Sequence, residues 1–131
     1  MAYEEALTCI TLPASGDLSS YQYHLIYAST SKQATLQTTK GGYVAGILQD
    51  KSTAAGISSK VAVFGVVKVA AGGSATTGFD IGTQLVCSTS GIATVYTTAG
   101  SYVFGRALQY LSSGTSGIVA ALVTHEGYRS T

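Results

Sequence analysis

The chain has 131 residues, a net charge of +1 and 10% charged side chains, against about 25% in an average globular protein. That length gives one domain able to bury a core without disulfide staples. Seven Lys+Arg against six Asp+Glu provide no basic cluster for phosphate, so direct nucleic-acid binding is not expected. Sixteen Ser, seventeen Thr and sixteen Gly carry the polarity instead.

Membrane and export signals are not expected either. No apolar stretch reaches the ~20 residues that span a bilayer, and Glu4 and Glu5 stand where a signal peptide needs a basic region. Cys9 and Cys87 lie among small or apolar neighbours and read as two buried thiols rather than a disulfide.

The dominant period along the chain is two. Residues 7–12 form a first β-rich run closed by Pro13 and the turn-like Ser15-Gly16-Asp17. Tyr21, Tyr23, Leu25 and Tyr27 then alternate as one face of a strand over residues 21–28, with a short return at 34–38. After Gly41-Gly42 comes a strand at 43–49. The strongest candidate is 60–69, where Val61, Val63, Val67 and Val69 share a face and Gly65 marks a bulge or close-packing point. Strands at 83–88, 92–97, 102–110 and 118–124 follow. About nine short strands between Gly/Ser/Thr turns predict an all-β single domain, a small barrel or sandwich. Residues 1–12 are expected as an N-terminal arm or first strand, 13–124 as the barrel or sandwich, and 125–131 as an exposed tail.

An internal echo runs through this pattern. Tyr43-Val44-Ala45-Gly46, Leu48-Gln49 and Val61-Ala62-Val63 are answered by Tyr102-Val103-Phe104-Gly105, Leu108-Gln109 and Ile118-Val119-Ala120. The second Leu-Gln pair comes one residue late, which would flip its facing in a strand. A duplicated unit and coincidence in a low-diversity composition explain the echo equally well.

No catalytic constellation emerges. His24 and His125 are far apart and lack companions at metal-ligand spacing. Gly114-Thr115-Ser116-Gly117 misses the nucleophile elbow, and Ser29-Thr30-Ser31-Lys32 matches S-x-x-K without the companion motifs. No enzymatic activity, metal or cofactor is expected. Sparse charge on a strand-rich chain with nine Tyr instead predicts edges and faces covered by other chains.

From Ile10 to Thr124 the chain resembles the bacteriophage capsid cement, or head decoration, proteins. The resemblance is carried by Asp17-Leu18-Ser19-Ser20-Tyr21-Gln22-Tyr23, Gly46-Ile47-Leu48-Gln49-Asp50 and Gly65-Val66-Val67-Lys68-Val69-Ala70-Ala71-Gly72. It continues through Gly82-Thr83-Gln84-Leu85, Gly91-Ile92-Ala93 and Tyr102-Val103-Phe104-Gly105-Arg106-Ala107-Leu108. One departure is Lys51-Ser52, where the family often carries Pro. The resemblance implies a non-enzymatic structural virion protein, made in the bacterial host cytoplasm and bound to the outer surface of the expanded head. Its partners would be the major capsid protein, whose neighbouring subunits it bridges, and itself, as a homotrimer or dimer. The expected capsid-binding residues are Tyr3, Glu4, Glu5, Leu7, Ile10 and Leu12. The expected subunit contacts are Tyr21, Tyr23, Tyr43, Tyr102 and Phe104. The alternative is a β-module of a tail fibre or baseplate, or a carbohydrate binder stacking sugars on its tyrosines.

Overall fold

The computed structural model describes residues 5–72 and 78–130, with side chains from residue 8. Nine strands form, and no helix occurs among the described residues. They are β1 (Glu5–Pro13), β2 (Leu25–Ala28), β3 (Ala34–Leu36), β4 (Gly46–Leu48), β5 (Ser58–Gly72), β6 (Gln84–Cys87), β7 (Ala93–Val95), β8 (Tyr102–Ala107) and β9 (Ser116–Tyr128). Each overlaps one of the nine runs read from the sequence, and the all-β class holds.

β5 organises the molecule. β1 lies antiparallel along one of its edges, from Ser58 to Val66. A strand has two edges, so β4, paired at Val61 and Ala62, and β9, paired from Gly65 to Gly72, share the other. Two rings result. The first runs β1-β5-β4-β2-β3 and closes on the parallel bridge between Ala14 and Ala34. The second runs β5-β9-β8-β6-β7 and closes on the parallel pairing of Ala71 with Ala93. The chain thus follows the same five-strand plan twice, with β5 common to both rings.

The echo in the sequence is therefore a structural repeat. Tyr23 N–H donates to Leu48 O and Leu48 N–H to His24 O, at 2.7 and 3.0 Å. Gly82 N–H to Ala107 O and Ala107 N–H to Thr83 O repeat these bonds 59 residues later, again at 2.7 and 3.0 Å. The left-handed residues correspond too: Tyr23 (φ 69°) with Gly82 (90°), Lys32 (59°) with Gly91 (75°), and Gly65 (112°) with His125 (50°). In this alignment Leu48 matches Ala107, so the second Leu-Gln pair is one residue out of phase and is not the equivalent of the first.

Two apolar clusters fill the rings. Ala14, Leu18, Ile26, Ala34, Leu48 and Val61 form the first. The second places Phe79, Leu85, Ala93, Ala107 and Ala121 at matching positions, the larger Phe79 offsetting smaller residues elsewhere. It also takes in Leu25, Val44, Ile47 and Ala62 from the outer face of the first ring, which welds the two together.

Four expectations change. β5 and β9 have fifteen and thirteen residues and are not short, because the positive φ at Gly65 and His125 bends each without ending it. The valine stripe likewise switches role at Gly65: Val61 and Val63 pack on the first cluster, Val67 and Val69 in the second. The strand expected from residue 21 begins at Leu25, because turns occupy residues 19–23 and Tyr23 is left-handed. At the C-terminus β9 runs to Tyr128, so residues 125–128, expected in an exposed tail, are strand paired with β8.

Cys9 and Cys87 are free thiols. Burial pushes the Cys87 thiol up to about 12, and its sulfur lies 3.3 Å from Gln37 O and 3.1 Å from Ser88 O.

Candidate functional site

β4 pairs with β5 only as far as Ile47 opposite Ala62, and β9 joins β5 only from Gly65, which leaves a fork on the shared edge of β5 at Val63 and Phe64. A cleft of about 310 Å³ opens there, lined by Ile10, Tyr43, Ala45, Val63, Phe64, Tyr102 and His125. Five separate elements or their flanks supply these residues, and none is a Lys, Arg, Asp or Glu.

His125 closes the back of the fork. Its Nε2 lies 2.8 Å from Val63 O, and a carbonyl can only accept, so Nε2 carries the proton. Its Nδ1 is hydrogen-bonded to the Tyr102 hydroxyl, also at 2.8 Å. This bond satisfies a phenol that is 8% exposed. Burial raises the Tyr102 phenol above its ordinary value, and the neighbouring Tyr43 and Tyr128 phenols add to the effect.

The rings meet edge to face. Tyr43 contacts Tyr102 at 5.0 Å between centroids, Tyr102 contacts Tyr128 at 5.2 Å, and Phe64 contacts His125 at 5.2 Å. Such pairs are worth about 0.5–1.5 kcal/mol each beyond area burial, so the aromatic wall is built to keep its shape. Its outer members remain in water: Ile10 is 40% exposed, Tyr43 43%, Phe64 48% and Tyr128 65%. A cluster of large exposed apolar side chains is what docking surfaces carry.

The structure redistributes the residues singled out from the sequence. Ile10, expected to bind a shell, and Tyr43 and Tyr102, expected at subunit contacts, come together in this cleft. Leu12 is half-buried against the first cluster. Glu5 and Leu7 lie on β1, whereas Tyr3 and Glu4 fall outside the described residues. Phe104 is completely buried in the second cluster, so it cannot contact a subunit. Tyr21 packs on the first cluster and edge-on to His24. Tyr23 packs on the second cluster beneath the Lys68 ammonium. The tyrosines at 21, 23 and 27 therefore do not share a strand face, and the stacking platform expected of a sugar binder is not built from them.

Phe64, His125 and Tyr128 were not anticipated as site residues. The available signal was the repeat itself, which makes Tyr43 and Tyr102 equivalent and sets His125 at the position of Gly65.

Two other surface features differ in kind. Arg106 pairs with Glu126 through Nε–Oε2 at 2.8 Å and Nη2–Oε1 at 3.0 Å. Burial alone would raise the Glu126 carboxyl, but hydrogen bonds from Arg106, Gln84 and Thr124 and the Arg106 charge hold it below its ordinary value. A hollow of about 360 Å³ near Lys40, Ser88, Thr94 and Ser116 is rich in hydroxyls. Among the described residues no three His, Cys, Asp or Glu side chains gather where they could hold a metal.

No family model matches the chain, and no curated protein matches it. Among solved structures, the chain is similar to the N base of the head fibre gp8.5 of bacteriophage phi29. The TM-score is 0.66 at 15% identity, over 93% of this chain and 98% of that one. At that identity the likeness is one of fold, and it takes in almost the whole of both chains.

Proposed function

We propose that the chain is a structural protein of a bacteriophage virion, a cement or decoration protein on the outside of the head. The observation that carries this reading is the fold shared, almost end to end, with the base of a phage head fibre. The low charge and the exposed aromatic cleft support a docking role. In this role the protein binds the expanded shell, bridges neighbouring major capsid protein subunits and acts as an oligomer, a homotrimer in the family it resembles. It acts by binding, without catalysis. A protein that binds only the assembled shell stabilises it by RT ln(1 + [L]/Kd) per site, and an oligomer gripping several capsomers gains through effective concentration.

The test is co-sedimentation of the purified protein with undecorated shells of the matching phage, expanded and unexpanded. Saturable binding to expanded shells at a fixed number of copies per symmetry site is expected. Binding to neither form would overturn the reading.

A further inference from the structure

We propose that the cleft at the β5 fork receives an extended, uncharged, proline-containing segment of a partner protein. The inference deepens the docking role proposed above and rests on that reading only for the partner's identity.

Area is the first consideration. Taking about 200 Å² for a large side chain, the exposed fractions of Ile10, Tyr43, Phe64 and Tyr128 sum to about 400 Å². A stable pair of globular surfaces buries about 800 Å² on each partner. The patch is thus about half what a second copy would need to dimerise here, and it matches the footprint of a short segment.

Charge is the second. No Lys, Arg, Asp or Glu lines the cleft, and both ring nitrogens of His125 are already engaged, one with Val63 O and the other with the Tyr102 hydroxyl. A charged segment would lose its hydration without gaining a counter-ion.

Ring geometry is the third. The planes of Tyr43 and Tyr102 meet at 73°, those of Tyr102 and Tyr128 at 71°, and those of Phe64 and His125 at 74°. Rings held in this way give the cleft aromatic walls, and aromatic-lined grooves are what proline-containing segments dock into. A polyproline II chain also makes no hydrogen bonds of its own. Its carbonyls are open to phenol donors such as those of the exposed Tyr43 and Tyr128. Strand addition fits less well, because the Val63 carbonyl at the fork is already taken by His125. A sugar also fits less well, since the polar atoms of His125 and Tyr102 are bonded to each other and to the backbone.

The experiment is an amide-resolved NMR titration of the ¹⁵N-labelled full chain, without shells. The probes are a capped uncharged Pro/Leu nonapeptide, a Gly/Ser/Leu peptide of the same length and a maltooligosaccharide, each to about 1 mM. The expected result is saturable shifts at Tyr43, Phe64, Tyr102, His125 and Tyr128 with the proline peptide alone. Phe64→Ser should weaken its binding about tenfold with unchanged circular dichroism, and Leu122→Ser, at an exposed site outside the cleft, should leave it unaltered. The inference is overturned by an absence of shifts, by shifts centred elsewhere, by an equal response to the Gly/Ser/Leu peptide or the sugar, or by concentration-dependent self-association through these residues. Shell binding with no response to the proline peptide would overturn it while leaving the decoration role standing. Failure to bind shells with a normal peptide response would do the reverse.

Discussion

Gly91, in the turn between β6 and β7, is a sharp test of how the two rings are joined. It adopts φ +75° and faces the first repeat: an added Cβ would lie 2.5 Å from Leu36 Cδ1, 3.0 Å from Leu36 Cγ and 3.1 Å from Gln37 O. Gly91→Ala therefore carries two costs. The left-handed backbone costs an L-residue about 1–2 kcal/mol, and overpacking adds about 1–3 kcal/mol. Loss of glycine freedom in the unfolded chain returns about 0.4–1 kcal/mol, so the expected net loss is about 3 kcal/mol. Gly100, at φ +90° with nothing within 4 Å of its Cβ position, isolates the backbone part, and Gly100→Ala should cost about 1 kcal/mol. Gly16 has open space and no positive φ, so Gly16→Ala should stabilise by about 0.5 kcal/mol. In the first repeat the position of Gly91 is held by the exposed Lys32 at φ 59°, and Lys32→Gly should gain about 0.5 kcal/mol. Urea unfolding followed by far-ultraviolet circular dichroism measures all four. Equal losses for Gly91→Ala and Gly100→Ala would refute the packing argument, and a gain from Gly100→Ala would refute the backbone one.

Other outcomes follow from the titratable groups. Glu126 has its carboxyl held below the ordinary 4.5, so its contribution is present above that value and disappears as pH falls through the lowered one. Glu126→Gln should flatten the acid limb of the stability profile below pH 4.5, and should cost about 1 kcal/mol or less at neutral pH because Arg106 is largely exposed. A mutant with an unchanged acid limb would show that other carboxylates control it. For Cys87, raised from 9.0 to about 12, the sign is opposite: its contribution is lost as pH rises above 9. At pH 8 a thiol reagent should label half-buried Cys9 first and reach Cys87 only on unfolding, as peptide mass spectrometry would record. Native labelling of Cys87 at the rate of Cys9 would contradict the burial.

Local patterning was enough to find every strand among the described residues, because alternation and Gly/Ser/Thr punctuation are properties of short windows. It went wrong where backbone conformation broke the pattern without a visible signal. Tyr21, Tyr23 and Leu25 alternate as a strand does, but a tyrosine in the left-handed region ends the alternation. Gly65 reads as a bulge or close-packing point inside one strand, and β5 does continue through it, but no local signal shows that the strand serves both rings. The cleft was hidden for a different reason. Ile10, Tyr43, Phe64, Tyr102 and His125 come from separate stretches of the chain, and only the sharing of one β5 edge between β4 and β9 brings them together. The repeat was the one long-range signal within reach, and its out-of-phase Leu-Gln pair obscured it.

A strand common to two rings also imposes an order in time. During synthesis the first ring has all its strands once residue 66 has emerged, whereas the second cannot close until β9 arrives some fifty residues later. At about 5–20 residues per second, Gly65–Gly72 therefore waits for several seconds with its β9 edge unpaired. Such an edge is a template for pairing with the wrong chain. Lys68 is the one charged residue in that half-strand, placed where a gatekeeper charge is needed. In the finished fold its ammonium rests 5.9 Å from the centre of the Tyr23 ring, so the charge that guards the nascent edge is afterwards held against an aromatic face.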